Sequence, residues 1–408
     1  MKERIRDTNY MAFILLFYLL LFQAPLSSVI SVFGYVDELI ATIAIPFAIL
    51  QLKRNKFRIS KKKNSFLGFL IIFGVAGICG SVRYNYQPIG SVAIPDLFLC
   101  VKFWLAIYTG KMLFSKMDLE RNGRGIFFHV KIVTTLFCAL AVIDNIAHIY
   151  TANIRYGIRS THLFYDSPTA FAAACAFLIA VLTIVRPYVN RTRKWFVLLL
   201  ILMCSSLRSK AFAAVAAFIL IYYFVFYKKK RVTFKTLLLF APLILFMVGD
   251  QIEYYFFSDI QSDSARYQLL ITSILIARDS FPIGAGFGTF GSYMSAIHYS
   301  PVYRIYGISN VHGLIEGATY FTSDSFWPMI LGETGIVGLV SIVIVIIRMI
   351  KRLQLIKSLD LALYASGLVC ISYLLVISMA ESAFVNPVAI PLAIVLGLVY
   401  GKGEYITG

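Results

Sequence analysis

The residues of this chain that could carry chemistry concentrate where its apolar segments are interrupted. The largest interruption runs from Gly249 to about Ser323 and is rich in acids, arginines and aromatic residues. It contains His298 and His312, whose imidazoles titrate near neutral pH and could each serve as a general base. It also contains the carboxylate of Glu316. Loops of this length are uncommon and usually carry function.

Arg208 lies in a short joint, Ser205–Lys210, between two apolar segments. The joint is so short that Arg208 must lie close to the ends of those segments, near the membrane surface. A guanidinium offers phosphate oxygens a planar fork of N–H donors, so a fixed cation here suits a diphosphate. An interfacial arginine that contacts ordinary phospholipid would fit the same position. The spacing leaves both interpretations open.

Arg266 opens a run to Arg278 in which apolar residues recur at helical spacing. This pattern predicts an amphipathic helix along a membrane surface, with end charges that either bind a ligand or are simply solvated. Two further arginines in polar joints are candidates for diphosphate binding or solvated loop charges: Arg159 and Arg304.

The elements that must position these residues are membrane-spanning helices. Apolar residues make up 59% of the chain and charged residues 14%, with a mean hydropathy of +0.79. A soluble domain carries about a quarter charged residues. Backbone groups in lipid must be satisfied internally, so the apolar runs predict an all-α polytopic membrane protein. About twelve spans are expected, near residues 10–30, 38–52, 65–80, 97–114, 126–148, 167–185, 195–206, 211–227, 233–248, 325–347, 359–379 and 386–400.

The net charge of +18 describes topology rather than a nucleic-acid surface. Most of the 38 Lys and Arg residues occupy alternate joints, as cytoplasmic loops do, and they are not interleaved with aromatic stacking platforms. This alternation predicts one integral membrane domain over residues 1–408, with both termini cytoplasmic. Residues 249–324 then form a large external loop, with short helices, between the ninth and tenth spans.

Several reaction classes are not favoured by the sequence. No cluster of His, Cys and Asp has metal-ligand spacing, and no Gly-x-Ser-x-Gly elbow of a serine hydrolase occurs. The glycine run Pro282–Phe290 lacks the Lys-Ser/Thr of a phosphate-binding loop, and we expect it to be a flexible turn. We therefore expect neither a metal nor an organic cofactor.

Three motifs, taken in order, resemble the bacterial O-antigen polymerase and O-antigen ligase superfamily. The first is Ser206–Ser209, similar to a Ser-Arg joint between two mid-chain helices. The second is Arg266 followed by the glycine run, and the third extends from Ser325 to Leu339. The resemblance implies about twelve spans, one large periplasmic loop and residence in the bacterial cytoplasmic (inner) membrane.

The chain departs from the ligase pattern just before the third motif. Ligase-like members carry His-Asn there, and that histidine is a proposed base, whereas this chain has Ser323-Asp324. The difference favours the polymerase branch, in which another group serves as the base. Four residues could supply it, and the sequence does not choose among them: Asp324, His312, Glu316 and His298.

The reaction implied by the resemblance is an inverting glycosyl transfer from an undecaprenyl-diphosphate-linked glycan onto a lipid-linked repeat unit. Paired arginines can stabilise the departing diphosphate without a metal, and Arg208 and Arg266 are the candidates. Membrane lipids, a chain-length regulator and a flippase are the other expected partners. Two alternatives stay open: a ligase that transfers glycan to lipid A core or protein, and a lipid-linked oligosaccharide flippase, in which charges line a translocation cavity.

Overall fold

The computed structural model describes residues 2–54, 66–151, 154–155, 157–231 and 264–407. It confirms an all-α polytopic membrane protein. Seven of the described helices are long and apolar enough to cross a membrane, or eight if one bent pair counts as a single span. The figure of twelve spans stays a prediction, and the expected span at 233–248 lies outside the described residues.

The first half of the chain consists mostly of long helices. A bend of 66° separates the first two, and the π-helical turn Ile89–Ala93 leads into the fifth. The carboxylate of Asp118 caps the sixth by accepting the N–H groups of Glu120 and Arg121. These helices are α1 Lys2–Leu21, α2 Gln23–Val29, α3 Val36–Arg54, α4 Leu67–Tyr84, α5 Ile94–Phe114 and α6 Leu119–Ala147.

The second half adds a two-stranded hairpin, β1 Ile154–Arg155 and β2 Ile158–Arg159, and further helices. Three of them lie in the region expected to be the large loop. The helices are α7 Pro168–Val185, α8 Thr192–Ser205, α9 Ser209–Tyr222, α10 Ala265–Asp279, α11 Tyr293–Ile297, α12 Val302–Ile305, α13 Phe326–Ile356, α14 Leu361–Ile377 and α15 Ala389–Thr407.

The core is built around α7, which is buried along nearly its whole length and packs against α6, α8 and α14. Helices α5 and α15 pack in close backbone contact. A Cβ atom added at Gly110 would lie 2.6 Å from the carbonyl oxygen of Ile394, and one at Gly397 would lie 2.3 Å from that of Ile107. Small residues thus let the two backbones touch, as is usual between helices in membranes.

A buried ion pair joins α3 to α5. The Nζ of Lys102 lies 2.7 Å from the carboxylate of Asp37, and Gln23 on α2 donates to the same carboxylate at 2.8 Å. An isolated charge in the apolar interior would be costly, so each of these groups needs its partner. The pair therefore fixes α2 and α3 against α5.

Charged side chains near the helix ends show how the helices of the bundle are oriented. At one end, Lys111 on α5 and Arg352 on α13 both pair with Glu404 on α15, and Lys357 donates to the carbonyl of Lys229 at 2.9 Å. Because α5, α13 and α15 run in the same direction, their first residues lie at the other end. That end also carries the α8–α9 and α14–α15 joints and the described part of the expected loop.

The glycine run after α10 forms a buried turn against α13. The N–H of Ala285 donates to the carbonyl of Gly332, and that of Gly286 to Glu333, both at 2.9 Å. Helix α13 is broken nearby at Gly335, where φ is 63° and ψ is −164°. The expectation of a flexible turn is therefore corrected: the turn is packed because its N–H groups are bound by a helix.

The same turn also contacts α4 and α5. The N–H of Phe287 donates to the Ser81 hydroxyl at 3.0 Å, and the phenyl ring is fully buried against Phe73. The N–H of Gly288 donates to the carboxylate of Asp96, also at 3.0 Å. Contacts with α4, α5 and α13 hold the glycine turn in place. Because the turn directly follows α10, its position fixes where that helix ends.

Replacement of Gly335 by alanine should destabilise the protein. A Cβ there would lie 2.5 Å from the carbonyl oxygen of Pro282, at a left-handed φ. We expect a loss of about 2 kcal/mol or more, measured by thermal unfolding in detergent. Gly68→Ala is the matched control, since no atom lies within 4 Å of its added Cβ. Equal melting temperatures for the two variants would show that the α13 break is not constrained.

Candidate active site

A cavity of about 780 Å³ lies at the end of the bundle where α9 and α13 begin. Its cationic lining residues come from three separate parts of the chain: Arg155, Arg208, Lys210 and Arg266. Its acidic lining residues are Asp166, Asp324 and Glu381. The structure thus brings both principal candidate arginines and one candidate base, Asp324, to a single cavity.

Arg208 reaches the cavity through a very tight joint. The hydroxyl of Ser206 donates to the carbonyl of Met203 at 2.7 Å, and Leu207 adopts a left-handed φ of 50° that turns the chain. Arg208 is then extended and is the N-cap of α9. Its guanidinium therefore shares the cavity wall with the first turn of a helix, where the dipole also favours an anion.

Arg266 reaches the same cavity from the first turn of α10. Leu269 and Ile276 bury one face of this helix, which packs on α13. From that position the Nη2 of Arg266 donates to the Oδ2 of Asp324 at 2.9 Å. The helix predicted from the sequence at 266–278 is confirmed. Its packing places Arg266 next to Asp324, the residue before Ser325, which is the N-cap of α13.

The Asp324 carboxyl group is a weaker acid than usual. Burial raises its pKa most, and the nearby charge of Glu381 raises it further. The charge and the hydrogen bond of Arg266 lower the pKa, and Lys210 lowers it as well. Any change that takes Arg266 away from this carboxylate therefore makes it a stronger base.

Lys210 and Glu381 form a second ion pair in the cavity wall, and neither was among the predicted site residues. Their side chains are 18% and 17% exposed. Both lie in short polar joints, which is a signal that the sequence does contain. The sequence does not reveal that the α8–α9 joint meets the α14–α15 joint, since this contact depends on the packing of α9 against α14.

Five of the predicted site residues lie outside the cavity lining: Arg159, His298, Arg304, His312 and Glu316. Arg304 pairs with Glu316 at the surface, where their side chains are 63% and 59% exposed. His298 is exposed. His312 is also exposed, but its ring lies 5.8 Å from that of Phe321, which does line the cavity. The catalytic or binding roles expected of these residues stay predictions.

Arg159 has structural contacts. Its Nη2 lies 3.1 Å from the buried carboxylate of Asp144 and also donates to the carbonyl of Tyr150. Asp144 accepts the N–H of Tyr150 at 2.8 Å as well. These bonds tie the β1–β2 hairpin to the end of α6, and it is Arg155 from this hairpin, rather than Arg159, that lines the cavity.

A buried cluster of Asp96, Cys100 and Glu333 lies beside the glycine turn. One potential ligand atom from each lies within 4.8 Å of the others, so the three could hold a metal ion. Sequence spacing does not reveal the group, because Glu333 belongs to a different helix. The N–H of Gly288 (3.0 Å) and that of Phe290 (3.2 Å) each donate to one of the two carboxylates. These bonds anchor the turn.

Comparison with models of known protein families gave no match, and comparison with curated proteins gave none either. The features of this chain that bear on its function are therefore its motifs and the geometry of the cavity.

Proposed function

We propose that this protein is a polysaccharide polymerase. It transfers a growing undecaprenyl-diphosphate-linked glycan, O-antigen or a related surface polysaccharide, onto a lipid-linked repeat unit. The observation that carries the proposal is the convergence of Arg208, Arg266 and Asp324 on one cavity. These residues are far apart in the sequence, and each belongs to, or directly precedes, one of the three motifs that resemble the family.

The cavity suits a lipid diphosphate because its lining contains both apolar and cationic residues. Ala170, Ala173 and Ala174 of α7 and Leu20 and Leu21 of α1 provide an apolar wall. Four cations lie in the same cavity. A polyprenyl chain would contact the apolar wall, and the diphosphate would accept hydrogen bonds from the guanidinium groups.

The proposed reaction uses the cations and the carboxylate together. The acceptor hydroxyl oxygen bonds to the anomeric carbon of the donor glycan, and the bond from that carbon to the diphosphate oxygen breaks. The electron pair of the broken bond leaves with the lipid diphosphate, whose charge Arg208 and Arg266 stabilise. Asp324 accepts the hydroxyl proton. Attack from the face opposite the leaving group inverts the anomeric configuration.

The cations at the end of the bundle opposite the cavity support a topology for this reaction. Lys111, Arg352 and Lys357 lie at the end opposite the cavity, and cytoplasmic joints are typically rich in such residues. The proposal therefore includes twelve spans, both termini in the cytoplasm, and residues 249–324 in the periplasm of a bacterium. The cavity then opens at the outer face of the inner membrane.

Alanine replacement of Arg208 or Arg266 should abolish long-chain glycan in cells that lack the chromosomal gene. Each arginine stabilises charge in the transition state, and its loss should slow transfer about 100-fold or more. The readout is the length of the glycan ladder on a gel, at matched protein level. Arg278→Ala is the control, because Arg278 lies on the same helix as Arg266 but is 71% exposed. A normal ladder from both cavity variants would contradict the proposal.

Deletion of the gene separates the proposed activity from the two alternatives. A polymerase deletion leaves a single repeat unit on the final acceptor. A ligase deletion leaves no glycan on the acceptor, while polymerised lipid-linked glycan accumulates. A flippase deletion leaves single lipid-linked units on the cytoplasmic side.

The transfer rate should fall on acidification at a higher pH than an ordinary aspartate would give. Asp324 works as a base only when ionised, and burial raises its pKa, so protonation begins earlier as the pH falls. The measurement is the pH–rate profile of the purified protein with isolated lipid-linked repeat units. Asp324→Glu should keep an acid limb, whereas Asp324→Asn should lose most activity at every pH. Full activity of the Asn variant would exclude Asp324 as the base.

A further inference from the structure

The α14–α15 joint contacts two parts of the cation-lined cavity, the start of α9 and the segment that precedes α13. Glu381 in this joint pairs with Lys210 in the first turn of α9. The next residue, Ser382, donates to the carbonyl oxygen of Ser323 through its hydroxyl (2.8 Å) and its N–H (3.3 Å). One short joint therefore connects the Arg208 side of the cavity to the segment that carries Asp324.

The cavity holds two ion pairs that influence each other. Arg266 lies 2.9 Å from Asp324, and Lys210 pairs with Glu381. The charges of both Lys210 and Glu381 affect the pKa of Asp324, so the four groups form one electrostatic cluster. In this arrangement each of the two cations is balanced by a carboxylate of the protein.

A diphosphate that enters this cluster competes with the carboxylates for the cations. Lys210 is two residues from Arg208 at the start of the same helix, so a diphosphate held by Arg208 lies within the same local field. An ammonium on a flexible stem can change partners with a small rotation of its side chain. The backbone next to Glu381 is held by the Ser382 bonds, so Lys210, with its longer side chain, has more freedom to change partner.

We propose that Lys210 is a third ligand for the lipid diphosphate, and that Glu381 holds it in position until the diphosphate binds. On binding, the Lys210 ammonium exchanges the Glu381 carboxylate for a phosphate oxygen. Glu381 then stays in the cavity as a second acceptor for sugar hydroxyls, beside Asp324. This inference rests on the proposed function, because it takes lipid diphosphate as the ligand.

The test measures binding of undecaprenyl diphosphate to the purified full chain in nanodiscs, together with the melting temperature. Lys210→Gln should weaken binding about tenfold or more, since a hydrogen bond to a charged group is lost. Glu381→Gln should bind as tightly as the unmodified protein or more tightly, because a competitor for Lys210 is removed. Arg278→Gln, an exposed cation outside the cavity, should change neither quantity.

The exchanged pair Lys210→Glu with Glu381→Lys separates ligand binding from structural support. This double variant should have the melting temperature of the unmodified protein but a lower affinity for undecaprenyl diphosphate. The reason is that position 210, close to Arg208, no longer carries a cation. Equal loss of affinity in Lys210→Gln and Glu381→Gln, with full recovery in the exchanged pair, would make the pair a structural clamp only and overturn the inference. Undiminished binding by Lys210→Gln would overturn it as well.

The same measurement distinguishes this failure from failure of the proposed function. Suppose that the unmodified protein and Lys210→Gln both bind undecaprenyl diphosphate, and that Arg208→Ala does not. In that case only the role proposed for Lys210 is wrong. If the unmodified protein does not bind the lipid, the proposed function itself fails, and this inference with it.

Discussion

The anchoring of one glycine-rich turn is the constraint on which the cavity depends. Backbone N–H groups of residues 285–288 are bound by α13, by the Ser81 hydroxyl and by the Asp96 carboxylate. A backbone segment this deep among helices needs every polar group satisfied, and only glycine tolerates the close approach. Because the turn follows α10 directly, its position sets how α10 lies on α13. The Arg266–Asp324 contact follows from that packing.

The cavity combines charged groups with apolar residues, and two of its cations, Lys210 and Arg266, are already in ion pairs with protein carboxylates. This arrangement suits the binding of an anion at a membrane surface. Unpaired cations there would be costly to hold together, whereas ion pairs keep them in place until a stronger anion arrives. If a bound diphosphate also drew Arg266 away from Asp324, the carboxylate would become a stronger base, because the charge of Arg266 lowers its pKa in the structure. In the proposed reaction, binding of the leaving group and activation of the base would then be coupled through one guanidinium.

Sequence patterns predicted the helical membrane class and the helix at 266–278, because both depend on local periodicity. They also singled out Arg208 and Arg266, which the structure places in one cavity and whose role stays a prediction. They did not reveal Lys210 and Glu381 as partners, since that contact depends on how α9 packs against α14. They also did not reveal the buried group around Asp96, which requires a carboxyl group from α13. The glycine run was recognised as a turn, but its burial depends on three helices that no local pattern relates.

The most direct test of the proposed function is an electron cryo-microscopy structure of the protein in nanodiscs with undecaprenyl diphosphate. The proposed function predicts diphosphate density in the cavity, with phosphate oxygens about 3 Å from the guanidinium groups of Arg208 and Arg266. It also predicts that the Arg266–Asp324 distance increases beyond the 2.9 Å found here. Diphosphate density at another site, with the Arg266–Asp324 pair intact, would contradict it.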